Sequence, residues 1–131
     1  MNGKLAQINL ILAWLWMLLG FASGLYLGSH FHHENWLGGY ASLKRRLYRL
    51  CHISFFGLGA VNLMFCLTAH NFTDAGLAAT TASWGFLVGA VTMPACCLLM
   101  ARWPGLRLLF AVPVLSLLLA GALTLWELIR L

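Results

Sequence analysis

Residues 44–49, Lys44-Arg45-Arg46-Leu47-Tyr48-Arg49, form a cationic cluster. Directly after them comes Leu50-Cys51-His52-Ile53-Ser54-Phe55-Phe56-Gly57-Leu58-Gly59-Ala60-Val61-Asn62-Leu63-Met64-Phe65-Cys66-Leu67-Thr68-Ala69-His70, with no Asp, Glu, Lys or Arg. A basic collar followed by more than five turns of uncharged, mostly apolar residues reads as a membrane-spanning helix with its start at the lipid headgroups. Three further stretches share that character, 5–31, 75–101 and 108–126. Each reaches or nearly reaches the ~20 residues that cross ~30 Å of hydrocarbon as a helix. None alternates polar and apolar residues as barrel strands do.

Composition points the same way. Of 131 residues, 62% are hydrophobic and 8% charged. A water-soluble domain carries about a quarter charged residues, so the surface of this chain must face lipid. The expected fold is an all-α, up-down bundle of four transmembrane helices in one domain, residues 1–131, with spans near 7–27, 44–70, 75–101 and 107–128. The first apolar stretch is longer than the core of a signal peptide, about 7–15 residues.

The net charge of +5 does not indicate nucleic acid. The cations flank the spans, where they act as topology signals. Lys44, Arg45, Arg46, Arg49, Arg102 and Arg107 fall on one side, against Lys4 and Arg130 on the other. The expected arrangement is loops 28–43 and 102–106 in the cytoplasm, both termini outside, in a bacterial inner membrane. The collar is suited to anionic headgroups.

Within the second span, His52, Gly59, Asn62, Cys66 and His70 fall in one sector when successive residues are turned by 100°. A polar stripe in a membrane helix should face protein, and Asn62 needs hydrogen-bond partners there. His52 and His70 lie ~27 Å apart along the axis, near opposite surfaces. The spacing of Gly20, Gly24 and Gly28, and of Gly85 and Gly89, predicts close helix packing. Pro94 should free the carbonyl of Ala90, one turn earlier. Glu127 and Arg130 are expected to pair, and Asp74 to cap the third helix.

The candidate chemistry centres on His52. With Met93 it supplies the axial donor types of an electron-transfer haem, and with Cys96 and Cys97 a set suited to copper or zinc. Gly57 and Gly59 would leave room for a macrocycle. Arg46 or Arg49 would meet the propionates, and a histidine of loop one is the alternative second ligand. His30, His32, His33 and Glu34 are a second candidate copper or zinc cluster. His70 with Asp74 is a candidate quinone-binding pair, and Asn71-Phe72-Thr73 matches a glycosylation acceptor. The competing reading makes His52 a hydrogen-bonded interface residue, and Met93 and the cysteines packing.

The layout of few helices, a histidine near one surface and arginines beside it resembles the small anchor subunits of respiratory complexes. The expected function is thus a b-type haem-binding electron-transfer or quinone-linked subunit, not an enzyme on its own. Its expected partners are the lipid bilayer and other membrane subunits or a second copy. The alternatives are an accessory subunit of a larger membrane complex and a copper- or zinc-handling protein.

Overall fold

The computed structural model describes residues 3–72 and 76–131. Four helices run antiparallel in chain order: α1 (Gly3–His30), α2 (Leu43–Ala69), α3 (Leu77–Arg102) and α4 (Ala111–Ile129). A short 3-10 turn, Trp36–Gly38, interrupts the first loop, and a 3-10 segment, Pro104–Phe110, leads into α4. That segment displaces the α-helical start of the last span from the expected 107 to Ala111. All four spans are long and apolar enough to cross a membrane, and the chain is an integral-membrane helical bundle.

The four helices are not equivalent. α2 packs against α1 and α3, and α3 also against α4, whereas α1 and α4 make no substantial contact with each other. The α2–α3 pair is therefore the centre, and α1 and α4 are opposite edges. Burial agrees: 39% and 44% of the apolar windows of α2 and α3 are buried, against 11% for α1 and for α4.

The contact of α3 with α4 is made by small residues. A Cβ added at Gly85 would lie 2.8 Å from the Ala120 Cβ and 2.9 Å from the Ser116 carbonyl oxygen. One added at Gly89 would strike Leu117. In lipid the gain from such proximity is dispersion between close surfaces, because apolar residues have no water to escape. At the same end, Phe65 of α2 meets Phe86 of α3 with ring centroids 5.2 Å apart, beside buried Ala79, Ala82 and Ala120.

Polar bonds join α1 to the centre. The Asn9 amide donates to Asn62 Oδ1 at 2.8 Å and to the Ser83 carbonyl at 3.4 Å, and its own oxygen accepts from the Ser83 hydroxyl. Asn62 donates to the carbonyls of Leu58 (2.9 Å) and Phe86 (3.4 Å). Every amide proton of both asparagines therefore has an acceptor, which a fully buried side chain in a membrane requires. Asn62 thus gains the partners its position demanded. The polar core thus joins α1, α2 and α3.

One turn of α3 explains a second link. Pro94 has no N–H to offer the Ala90 carbonyl, and the Trp16 indole donates to that oxygen at 2.9 Å. Pro113 lies in the first turn of α4, where no N–H partner is lost.

The glycine ladder of α1 does serve the α1–α2 interface, but by receiving rings. A Cβ at Gly20 would meet the Phe56 ring and one at Gly24 the His52 ring, both at under 3 Å, while Gly28 is open. Close backbone approach occurs instead at Gly59, whose Cβ position lies 3.1 Å from the Ala13 carbonyl oxygen. Arg130, expected beside Glu127, has its guanidinium 5.8 Å from the Trp126 ring centroid. The expected Asp74 cap, the His70–Asp74 pair and the acceptor sequence ending at Thr73 lie outside the described residues.

Candidate functional site

Ser42 starts α2. Its hydroxyl accepts from the Arg45 backbone N–H at 3.1 Å and donates to the Leu37 carbonyl at 2.7 Å. That loop passes through three left-handed residues, Leu37, Gly38 and Gly39. Leu37 adopts φ 56° despite its side chain, a conformation that needs support from its surroundings.

Arg45 holds the backbone just before this turn. It is only 2% exposed. Nη2 donates to the Phe31 carbonyl at 2.9 Å, and Nη1 to those of His33 and Glu34 at 3.0 and 3.4 Å. Its guanidinium also lies 3.9 Å from the Tyr40 ring centroid and 5.4 Å from that of Trp36. Carbonyls just past the C-terminus of α1 carry partial negative charge, so a cation there is favourable. Arg46 and Arg49, assigned to propionates in the sequence, are exposed.

His52 lies nine residues into α2, ~13 Å along its axis. It faces α1: Nδ1 lies 2.9 Å from the Ser23 hydroxyl oxygen, and the ring edge rests over Gly24. The Phe56 ring is perpendicular to it at 5.5 Å. The interface bond of the competing reading exists, made to the Ser23 hydroxyl. Ser23 also lies 3.0 Å from the Gly20 carbonyl. A hydroxyl has one proton. Both bonds form together only when Ser23 donates to Gly20 and His52 Nδ1–H donates to Ser23. The neutral ring then carries its lone pair on Nε2.

Beside this imidazole is a half-open pocket of about 210 Å³. Ser23, Tyr26 and Leu27 of α1, Tyr48, Cys51 and Phe55 of α2, and Leu98 of α3 form its walls with His52. The pocket lies below the cationic collar. Tyr26 also packs against His30 and Trp36, with centroids 4.8 and 6.0 Å away.

The other expected ligands are elsewhere. Met93 is half-buried and does not line this pocket. Cys96 Sγ lies 3.4 Å from the Leu109 carbonyl, and Cys97 is fully buried. All four cysteines are free. The space imagined above Gly59 is filled by Ala13, Trp16 and Met17, while Gly57 faces outward with nothing near it. His70, placed on the inward stripe, is exposed and turns back to the Cys66 carbonyl at 2.7 Å. His32 and His33 are exposed, with ring centroids 4.3 Å apart, and His30 stacks on Trp36. Among the described residues no three His, Cys, Asp or Glu side chains converge to hold a metal ion.

Asn9 and Arg45 are the residues the sequence reading undervalued. A signal existed for each. Asn9 is an amide in an apolar run, as Asn62 is. Arg45 begins the heptad series Arg45, His52, Gly59, Cys66, which marks one helical face.

No family model, curated protein or solved structure matches this chain.

Proposed function

We propose that the chain is a small, non-enzymatic membrane subunit of a redox system, holding a lipid-borne ligand at His52. One observation carries the reading: His52 is oriented through Nδ1 by Ser23, beside a half-open pocket under the collar. Fixing one ring nitrogen to leave the other available is how proteins prepare histidine for a ligand. A b-type haem is the weaker form of this idea. The second axial donor is not in the pocket, and Gly59 is covered by α1. About 150 Å³ holds a benzene, so this pocket suits one substituted ring better than a macrocycle. Copper or zinc at Met93, Cys96 and Cys97, or at His32 and His33, draws no support from the convergence of side chains.

The test is native mass spectrometry of gently purified protein. It should retain a lipid-soluble small molecule that is lost in Leu98→Trp, which fills the pocket from α3. An oxidised-minus-reduced absorption spectrum is the counter-test. A Soret band that shifts on reduction and vanishes in His52→Ala would return the assignment to haem.

The accessory reading is supported by the two bare edges, α1 and α4, which offer apolar surface to a neighbouring membrane protein. Purification from native membranes should then bring down a defined partner; a chain that always runs alone argues against it. For topology, we favour termini outside and residues 28–43 and 102–106 in the cytoplasm of a bacterial inner membrane. An impermeant thiol reagent applied to spheroplasts should label Leu131→Cys and spare Asn35→Cys. The reverse pattern would invert the assignment.

A further inference from the structure

We propose that the His52 pocket recognises a hydroquinone carried on an alkyl or isoprenoid tail, and prefers it to the corresponding quinone. This rests on the reading of the pocket as a ligand site and names the ligand's chemistry. Ser23 sets the tautomer of the ring. Its single proton goes to the Gly20 carbonyl, so its oxygen accepts from His52 Nδ1–H. In the neutral imidazole Nε2 is then an acceptor. Among the described residues nothing bonds to it, and no side-chain nitrogen or oxygen is both sealed from the surroundings and unpaired. Nε2 is thus not sealed off, and it is free to accept from an occupant.

A hydroquinone offers O–H to Nε2, whereas a quinone carbonyl presents a lone pair to a lone pair. The volume of about 210 Å³ exceeds the ~150 Å³ that holds benzene, which leaves space for ring substituents. The lining is almost wholly apolar, as suits a neutral aromatic ring. Tyr26 and Tyr48 contribute to the walls, where their aromatic rings can pack against the ring of the occupant. The collar above fixes the pocket just inside the hydrocarbon, where the tail can run into lipid.

The experiment uses the full chain in nanodiscs, with decyl-benzohydroquinone and decyl-benzoquinone titrated anaerobically by calorimetry. The hydroquinone should bind about tenfold more tightly or better, a difference of about 1.4 kcal/mol. His52→Gln should weaken hydroquinone binding and erase the preference, because its amide can donate to a quinone carbonyl as readily as it accepts from a hydroquinone. Ser23→Ala should leave hydroquinone binding but reduce the preference, because the freed ring can then present Nε2–H. If His52→Gln does not fold, Leu98→Trp blocks the pocket without touching the imidazole. Equal affinity for both rings, or a preference unchanged in Ser23→Ala, would overturn the hydroquinone assignment while leaving a ligand site. Binding of neither ring, or binding indifferent to both pocket variants, would overturn the site as well.

Discussion

At the residue scale the decisive groups are amides rather than ions. Asn9, Asn62 and Ser83 are each fully buried, and each bonds to the others' helices. In lipid the alternative to such a bond is an unpaired polar group, although measured gains are modest because an unfolded helix also finds partners. A double-mutant cycle with Asn9→Ala and Asn62→Ala isolates the shared bond from the cavities each variant leaves. The coupling should be about 0.6–1.7 kcal/mol, read from reversible unfolding in mixed micelles. Strict additivity would mean that the two amides do not hold α1 in place. One member of this triad could be read in the sequence. Asn62 stood out because it shared a face with His52 and Gly59, whereas Asn9 stood alone in its helix. Its partner face depends on how α1 is rotated against α2, and that is set by Gly20 and Gly24 accepting the Phe56 and His52 rings. The orientation of Arg45 likewise follows from the fold of the first loop, which brings three carbonyls to one guanidinium.

At the scale of elements, two devices place the helices. The first is the carbonyl that Pro94 frees and Trp16 covers. Trp16→Phe should destabilise by about 1–2 kcal/mol, because an oxygen inside the bundle loses its donor. In a Pro94→Ala background the restored N–H can serve Ala90, so the same change should cost clearly less. Equal penalties in both backgrounds would show that the indole acts only by packing. The second device is the small-residue contact of α3 with α4. Gly85→Val must displace backbone as well as Ala120 and should lower stability by about 1–3 kcal/mol. A Cβ at Gly121 would meet nothing within 4 Å, so Gly121→Val should be tolerated. A thermal-shift series in one detergent compares the pair; similar losses would argue against the close α3–α4 approach. The sequence identified Gly85 and Gly89 as packing residues. It also suggested Gly57 and Gly59 as cofactor space, because a missing side chain looks the same whether a ring or another helix occupies the gap.

At the scale of the molecule, hydropathy was enough to find four spans, because lipid requires long uncharged helices whatever their neighbours. It was not enough to say which spans are central, since α1 and α4 are as apolar as the pair they flank. That ranking comes from the polar bonds of α1 and the glycine contacts of α4, both directed at the α2–α3 pair. It leads to a distinct labelling pattern. A photoactivated carbene dissolved in the bilayer should mark exposed α1 residues such as Trp14, Phe21 and Leu25, and α4 residues such as Leu115, Leu118 and Ile129. It should mark α2 and α3 much less, except at outward positions such as Ile53, Met64 and Trp84. Uniform labelling of all four helices would contradict the central pair. The same reagent in native membranes then tests the subunit role. A partner seated on one edge should protect α1 or α4 relative to the purified chain in lipid, whereas protection on neither edge would leave both facing lipid and argue against an assembly partner there.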